Sequence, residues 1–266
     1  MTRVRALIGK ELLDLRRNRA ALAPVVIVVV MSLVLPFLIV IGIPLLTGES
    51  LGREPDLVKV SDVGASAASA SLTPEGRIQV FLFQQFLLLF LLTPVTGAMA
   101  LAAHSVVGEK QGRTLEPLLA TPITAVELLV AKVLGALLPT LTISLAGILF
   151  YFAGIVALAA PGVAWAMASG RSALLVLLVG PGAALVSLQS ALLISSRVND
   201  ARAAQQFGVL IIIPLTVLLV AQFLGSMWLS NAALALIGAG LFGIWIVLTL
   251  VSAALFEREA ILTRWR

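Results

Sequence analysis

The sequence predicts an all-α integral membrane protein with six transmembrane helices. Hydrophobic residues make up 60% of the 266 residues, while charged residues make up only 12%. A soluble domain must cover its surface with polar groups, so it cannot hide this much apolar side chain, whereas a bilayer removes that constraint. Long uncharged runs supply the candidate spans, each of which needs about 20 residues.

The expected spans follow from these runs in order. The last run, residues 203–256, would make a helix of roughly 80 Å, against a hydrocarbon core of about 30 Å. It must therefore fold back, and the turn-forming segment 225–231 around Trp228 marks the reversal. One transmembrane domain over 20–256 then precedes a cytoplasmic tail at 257–266. The predicted spans are 20–46, 78–104, 129–156, 172–196, 204–224 and 232–256.

Residues 1–19, ahead of the first span, are predicted to form an amphipathic helix. Apolar and charged residues separate onto two faces at helical spacing. This pattern is typical of a helix that lies flat on the inner membrane surface, with arginines reaching lipid phosphates. The apolar face consists of Val4, Leu7, Ile8, Leu12 and Leu15. The predicted site residues of this interfacial helix are Arg3, Arg5, Lys10, Glu11, Arg16 and Arg17.

Loop charges set the predicted orientation. Of the 18 Lys and Arg residues, 14 fall on the side of the two termini and four on the other side. Under the positive-inside rule, both termini lie in the cytoplasm. The basic and the 13 acidic residues all fall in loops or termini, so no ionisable group is expected inside a span. An ion-coupled carrier usually needs such a group near mid-membrane, so this pattern disfavours one.

The scarcity of reactive side chains disfavours several other functions. The chain has no cysteine and one histidine, His104, which excludes thiolate and multi-histidine metal sites. We expect no catalytic residue, metal or cofactor in the chain. A lipid-modifying membrane enzyme is one hypothesis for the function, and its chemistry would depend on His104. The net charge of +5 is dispersed among loops, so nucleic-acid binding is not expected.

Prolines and glutamines within the spans are candidates for bending and for contact. Each of the first five spans holds a proline, which kinks a helix or loosens it locally. These are Pro36, Pro94, Pro139, Pro181 and Pro214. Buried glutamines either join helices or line a substrate path. The candidates for a translocation path are Gln84, Gln85, Gln189 and Gln222.

Two loops stand out. The external loop 47–77 has a net charge of −2, and its Gly-Ala-Ser stretch 64–71 is typical of a mobile linker. A cap over an exit, or a docking site for an external partner, is the alternative. The loop 105–128 carries a predicted short amphipathic helix from Glu109 to Ala120, followed by a capping box of Thr124 and Glu127. Such a helix needs a membrane surface or a protein groove to cover its leucines.

The stretch GEKQGRTLEPLLATPITAVELLVAK, from Gly108 to Lys132, resembles the loop of the ABC-2 type (type-2 ATP-binding-cassette) permeases. Arg113 sits between the usual Gly and Thr. Residues 195–208 and the triplet Lys10-Glu11-Leu12 are similar to two further segments of that family, and the six-span layout agrees along the whole chain. The matching loop positions are Glu109, Gly112, Thr114, Leu115, Glu116, Leu118, Leu119, Thr121, Pro122, Ile123, Glu127, Leu128, Leu129 and Lys132.

The resemblance implies the architecture of a type V ABC exporter, located in a prokaryotic inner or plasma membrane. A dimer of permeases, homodimeric or formed with a similar permease, would surround the translocation path within membrane lipids. Two cytoplasmic ABC ATPase subunits would bind ATP and Mg, because no GxxxxGK[ST] loop occurs in this chain. The chain itself is then not an enzyme. A short re-entrant segment is implied between spans five and six.

The resemblance also implies that the loop after span two inserts into the ATPase as a coupling helix and transmits its closure. The implied ATPase-coupling residues are Glu109, Gly112, Arg113, Thr114, Leu115, Glu116, Leu118, Leu119, Thr121 and Pro122. The alternative function is a stand-alone ion-coupled secondary transporter.

Overall fold

Every element described in the computed structural model of the chain is helical. Five helical stretches are long and apolar enough to cross a membrane: Leu22–Thr47, Pro74–Glu109, Glu127–Leu158, Gly170–Ser195 and Asn231–Ala253. The prediction of an all-α membrane protein is therefore confirmed. More than half of the predicted span 204–224 lies outside the described residues. The structure describes residues 2–17, 19–63, 67–112, 124–197, 206, 213–214, 217–218, 220–222, 224 and 228–255.

The helices are numbered here in chain order within the described residues. Two π-helical segments, Leu38–Gly42 and Leu175–Val179, join α2 to α3 and α10 to α11. The first helices are α1 (Thr2–Arg17), α2 (Arg19–Phe37), α3 (Ile43–Thr47), α4 (Pro55–Val63), α5 (Ala67–Ala70) and α6 (Pro74–Phe90). They are followed by α7 (Leu92–Gln111), α8 (Ala125–Leu158), α9 (Val163–Met167), α10 (Gly170–Leu174), α11 (Gly180–Arg197) and α12 (Asn231–Leu255).

Along the chain, α6–α7, α8 and α10–α11 cross the bundle in alternating directions, which gives the bundle two ends. Lys132, near the start of α8, contacts Glu109 at the end of α7. Ala160, just beyond α8, contacts Gln79 near the start of α6. We call the end that holds Glu109 and Lys132 the basal end. The distal end is the opposite one, formed by residues 48–73 and 159–169.

The continuous span formed by α6 and α7 is the centre of the bundle. Within the chain, 83% of its most apolar window is buried, against 17% for the first span, 22% for α8 and 11% for α12. A helix that is hydrophobic on all sides belongs in a core, and α6–α7 fits that rule. α2, α8 and α11 pack around α7. In a membrane, the exposed apolar faces of α2, α8 and α12 contact lipid or another chain.

The central span formed by α6 and α7 is longer at both ends than the predicted span 78–104. Thr73 caps α6, since its Oγ1 accepts a hydrogen bond from Gly76 N–H at 3.2 Å, and Pro74 occupies the first helical position. At the other end, α7 continues to Gln111. The first residues of the predicted loop 105–128 are therefore helical, and so are its last residues, because α8 begins at Ala125.

Two of the predicted helix-bending prolines adjoin π-helical turns. Pro36 lies two residues before Leu38–Gly42, where Ile43 N–H donates to Leu38 O. Pro181 lies two residues after Leu175–Val179, where Gly180 N–H donates to Leu175 O. Proline lacks an N–H and crowds the turn that precedes it, so Pro181 accounts for the wider i→i+5 bonding of Leu175–Val179. Leu38–Gly42 follows Pro36 and lies just before Pro44, which acts on it in the same way.

An aromatic cluster and a glycine lock the first three spans together. The Tyr151 hydroxyl donates to Phe83 O at 2.7 Å, so its one polar group is satisfied in the core. The Phe37 ring lies 5.5 Å from the Phe83 ring and 5.7 Å from the Tyr151 ring, centroid to centroid. Gly154 faces Phe37, and a Cβ there would lie 2.5 Å from Cζ of the ring. The missing side chain at Gly154 therefore makes room for Phe37.

The distal segment 48–73 is more ordered than the predicted mobile linker. α4 packs on α6, and Leu57, Val58 and Val60 contact the core. Arg77 Nη1 lies 3.1 Å from Asp62 Oδ1 and ties this segment to α6. The small residues suggested a linker, but the apolar residues of 51–60 have a core surface to cover. Residues 64–66 of the predicted linker lie outside the described part.

We expect Gly154→Ala to destabilise the protein by about 1–3 kcal/mol, because the added methyl displaces a ring held in a packed cluster. Thermal unfolding of the purified chain in detergent measures the effect. Gly240→Ala is the matched control, since a Cβ at Gly240 meets nothing within 4 Å. Equal melting temperatures for the two variants would contradict the packing role of Gly154.

Candidate functional site

Three charged residues from three helices meet at the basal end. Lys10 of α1 forms an ion pair with Glu109 Oε1 of α7. Lys132 of α8 places its Nζ 2.6 Å from Glu109 Oε2 and also donates to Ser105 O at 3.1 Å. We call Lys10, Glu109 and Lys132 the basal cluster. It joins the N-terminal helix, the end of the central span and the start of the third span.

Burial makes this cluster energetically important. The Lys132 side chain is 1% exposed and the Glu109 side chain 7%, whereas Lys10 is 38% exposed. A buried ion pair contributes little net stability compared with apolar residues, but removal of one partner leaves an uncompensated charge and costs about 3–5 kcal/mol. Glu109 and Lys132 therefore depend on each other, and Lys10 closes the cluster from the solvent side.

The local position of Glu109 also shows that it is held by tertiary contacts. It lies in the last turn of α7, where the helix macrodipole disfavours a carboxylate by about 0.3–1 kcal/mol. Two lysines from other helices offset this local disadvantage.

The start of α8 is fixed by the predicted capping box. Thr124 Oγ1 accepts from Glu127 N–H at 3.2 Å, and Glu127 Oε2 accepts from Thr124 N–H at 2.9 Å. Gly112, at the other end of the segment, donates its N–H to Gly108 O at 2.9 Å. The capping box is confirmed, and the residues that flank 113–123 on both sides are held by defined hydrogen bonds.

The structure describes two of the predicted coupling residues, Glu109 and Gly112. Glu109 belongs to α7 and to the basal cluster, not to a separate short helix. Gly112 forms a turn directly after α7. The others lie outside the described residues: Arg113, Thr114, Leu115, Glu116, Leu118, Leu119, Thr121 and Pro122.

The predicted interfacial helix is present as α1, which packs along α8. Leu7 of its apolar face is buried, while Leu12 remains exposed. Of its charged residues, Lys10 turns towards Glu109 and Arg5 is exposed. Arg3, Glu11, Arg16 and Arg17 are placed by the backbone of α1.

The four predicted path glutamines are all buried within the chain, and two of them join helices. Gln189 Nε2 of α11 donates to Ser252 Oγ of α12 at 2.6 Å. Gln222 Oε1 accepts from Arg171 at 2.7 Å. Gln84 and Gln85 lie in α6, and the Gln85 amide finds no hydrogen-bond partner in the described structure.

A second polar cluster at the distal end centres on Arg171, which is 7% exposed. Its Nη1 donates to Leu229 O at 2.6 Å and its Nη2 to Gln222 Oε1 at 2.7 Å. Its guanidinium carbon lies 4.1 Å from the ring centroid of Trp228, which stacks on Phe81. Arg171 therefore ties the start of α10 to the residues just before α12. The sequence signal that could have pointed to this cluster is that Arg171 stands alone between two long uncharged runs.

Three buried ionisable residues lie near the ends of the candidate membrane-spanning helices. Glu109, Lys132 and Arg171 all lie within the candidate membrane-spanning helices and are buried. Each has a polar or charged partner, which makes its burial tolerable. All three lie near the ends of their helices, so the centres of the described spans remain free of charged side chains.

The family of the chain agrees with this architecture. The family model described as "ABC-2 family transporter protein" matches residues 5–258, which include the basal cluster, the segment after α7 and the Arg171 cluster. No curated protein sequence matches the chain. The match extends over nearly all of the 266 residues, and the described part of the chain is an all-helical membrane domain. The chain therefore belongs to the ABC-2 family of transporter proteins and is a membrane-spanning permease of an ABC transporter.

Proposed function

We propose that this permease is the membrane half of an ATP-driven exporter, moved by two copies of a separate cytoplasmic ABC ATPase through the segment after α7. Permeases of this family normally work with such an ATPase. The observation that carries the coupling proposal is the basal cluster. Glu109 precedes the segment 113–123 and Lys132 follows it, so their ion pair holds the two flanking helices together.

This geometry suits the transmission of force. A push on 113–123 acts on α7 and α8 at their paired ends, and α7 leads directly into the buried centre of the bundle. Lys10 adds α1 to the same unit. The coupling residues implied by the family resemblance then form the contact with the ATPase, and ATP and Mg are bound on that partner.

We infer that the chain crosses the membrane six times. α11 runs to Arg197 at the basal end, whereas Gln222 lies beside Arg171 at the distal end. The chain must cross the bundle between them, and residues 198–221 could reach about 36 Å as a helix, enough for a hydrocarbon core of about 30 Å. The excess of basic residues supports a cytoplasmic basal end with both termini inside a prokaryotic cell.

Dimerisation completes the proposal. The apolar faces of the first span, α8 and α12 leave a large surface for lipid or for a second permease. A dimer would place the translocation path between two copies. The four candidate glutamines are buried inside the single chain and would then join helices rather than line that path. The ion-coupled alternative is not favoured, because the family match points to an ABC permease.

The first test targets the predicted coupling leucines. We expect Leu115→Asp combined with Leu118→Asp to abolish co-purification of the cognate ATPase or its response to the permease, because two carboxylates cannot enter an apolar groove. The measurement is ATP turnover of the co-expressed complex. The control is Ala68→Asp with Ala70→Asp, which adds the same charges at exposed distal positions. Normal assembly and coupled turnover in the leucine variant would refute the proposed coupling.

The second test separates stability from coupling at the basal cluster. Glu109→Gln should lower the free energy of unfolding by about 3–5 kcal/mol, because Lys132 stays buried without its partner charge. The double variant Glu109→Gln, Lys132→Met should regain much of that stability. We still expect it to lose ATPase coupling, because α7 and α8 are no longer joined. Thermal unfolding and ATP turnover measure the two effects.

The exposed ion pair at the other end is the matched control. Asp62→Asn breaks the Arg77–Asp62 pair and should cost less than about 1 kcal/mol. A folded double variant at Glu109 and Lys132 with full coupled turnover would contradict the role of the cluster in transmission.

A further inference from the structure

Two adjoining cavities open on the surface of the distal half of the bundle. The first, of about 520 Å³, lies between α3, the start of α6 and the end of α8. The second, of about 560 Å³, continues along α2 towards the membrane interior. Both are lined by Ile41, Leu45 and Leu158, so they form one groove. We call it the distal groove.

The two parts of the groove differ in chemistry. The first part contains the carboxylates of Glu49 and Glu75 and the amide of Gln79. The lining of the second part has no polar side chain and includes Leu33, Phe37 and Leu38. A polar head and a long apolar body are therefore recognised side by side, which is the shape of an amphiphile rather than of a soluble metabolite.

The carboxylates of the groove give it a net negative charge. Asp56 and Asp62 of the same segment pair with Lys59 and Arg77. Glu49 and Glu75 form no ion pair within the described structure. No basic side chain lines either part of the groove. The head group that complements this charge is a cation.

Gln79 adds a hydrogen-bond donor that the protein itself does not use. Its side chain lines the groove although the residue is only 6% exposed. Its Oε1 accepts from Ala160 N–H at 2.9 Å, which fixes the direction of the amide. Within the described structure its Nε2 donates to no residue. A carbonyl or hydroxyl oxygen beside the cationic head would satisfy this donor.

The backbone around the groove is specialised in two places. The π-helical turn Leu38–Gly42 supplies lining residues to both parts, and such turns are frequent at functional sites. Gly48 then ends α3 in the left-handed region with φ of 70°. This conformation suits glycine and turns the chain so that Glu49 and Ser50 close the polar part.

We propose that the distal groove binds an amphiphile with one apolar tail, a cationic amine head and an oxygen acceptor next to the head. The head lies between Glu49 and Glu75, the oxygen accepts from Gln79, and the tail lies along Leu33 to Leu45. This binding site goes beyond the proposed ATP-driven coupling and does not depend on it, because binding is measured on the permease alone.

Lauroylcholine carries all three features and is the probe. The purified full chain in a neutral maltoside detergent should bind it saturably, as counted by native mass spectrometry. Glu49→Gln with Glu75→Gln should weaken binding at least about tenfold, through loss of two charge contacts. The matched control, Glu54→Gln with Asp56→Asn, removes the same charge from exposed positions outside the groove and should change binding less than about twofold. Equal binding by the two double variants would overturn the assignment.

Companion ligands and a filled groove test the remaining features. Glycerol monolaurate keeps the tail and the ester without charge, and choline keeps the head without the tail, so both should bind at least about tenfold more weakly. Val34→Trp, at a half-exposed position of the apolar part, should weaken lauroylcholine binding and leave the fold intact. Binding of either companion ligand as tightly as lauroylcholine, or no effect of Val34→Trp, would refute the proposal.

A second copy of the chain is the rival occupant. Because the protein has no cysteine, Leu45→Cys introduces a single reporter into the groove. Efficient disulfide cross-linking of two permeases through this residue, unaffected by lauroylcholine, would show that a second copy covers the groove. That result would overturn the assignment, whereas protection of the thiol from a small alkylating reagent by lauroylcholine would support it.

Discussion

The ion pair between Glu109 and Lys132 joins two helices at a site inside the protein where an unpaired charge would be costly. Both side chains are almost fully buried, so each makes the burial of the other tolerable. The pair also holds together the helices that lead into and out of the segment 113–123. With Lys10 of α1 added, three elements that are distant in sequence share one anchor at the basal end. That anchor fixes the basal ends of α1, α7 and α8 relative to one another.

From the anchor, the buried span formed by α6 and α7 crosses the bundle to the distal end. Its apolar surface is covered on nearly all sides by the chain itself, so it acts as a core around which the more lipid-accessible helices are arranged. Small residues bring those helices close: a Cβ at Gly97 of α7 would lie 3.0 Å from Thr140 of α8. Polar groups reappear at the distal end, where Arg171 binds Gln222 and stacks on Trp228. The described bundle thus has no charged side chain in its middle and is joined by contacts of charged side chains at both ends.

Local rules were enough to predict much of this architecture. Span length follows from uncharged runs, and the Thr124–Glu127 capping box follows from a spacing of three residues. The basal cluster could not be predicted in this way, because Lys10 and Glu109 are 99 residues apart and their contact depends on how α1 packs. Arg171 was taken for a loop charge, since only the tertiary fold shows that Trp228 and Gln222 surround it. The distal segment was predicted as a mobile linker because small residues fill 64–71. The apolar residues of 51–60 that pack against the core are few and less conspicuous in the sequence.

The separation of Lys10 from Glu109 also has a consequence for biosynthesis. Ribosomes add roughly 5–20 residues per second, so Lys10 is made about 5–20 s before its partner carboxylate. During that interval the nascent N-terminal helix has no Glu109 to bind, and its basic residues are available to anionic lipid headgroups. Pairing with Glu109 then withdraws one lysine from the lipid surface. The order of translation therefore makes release from lipid a late step in the maturation of the subunit.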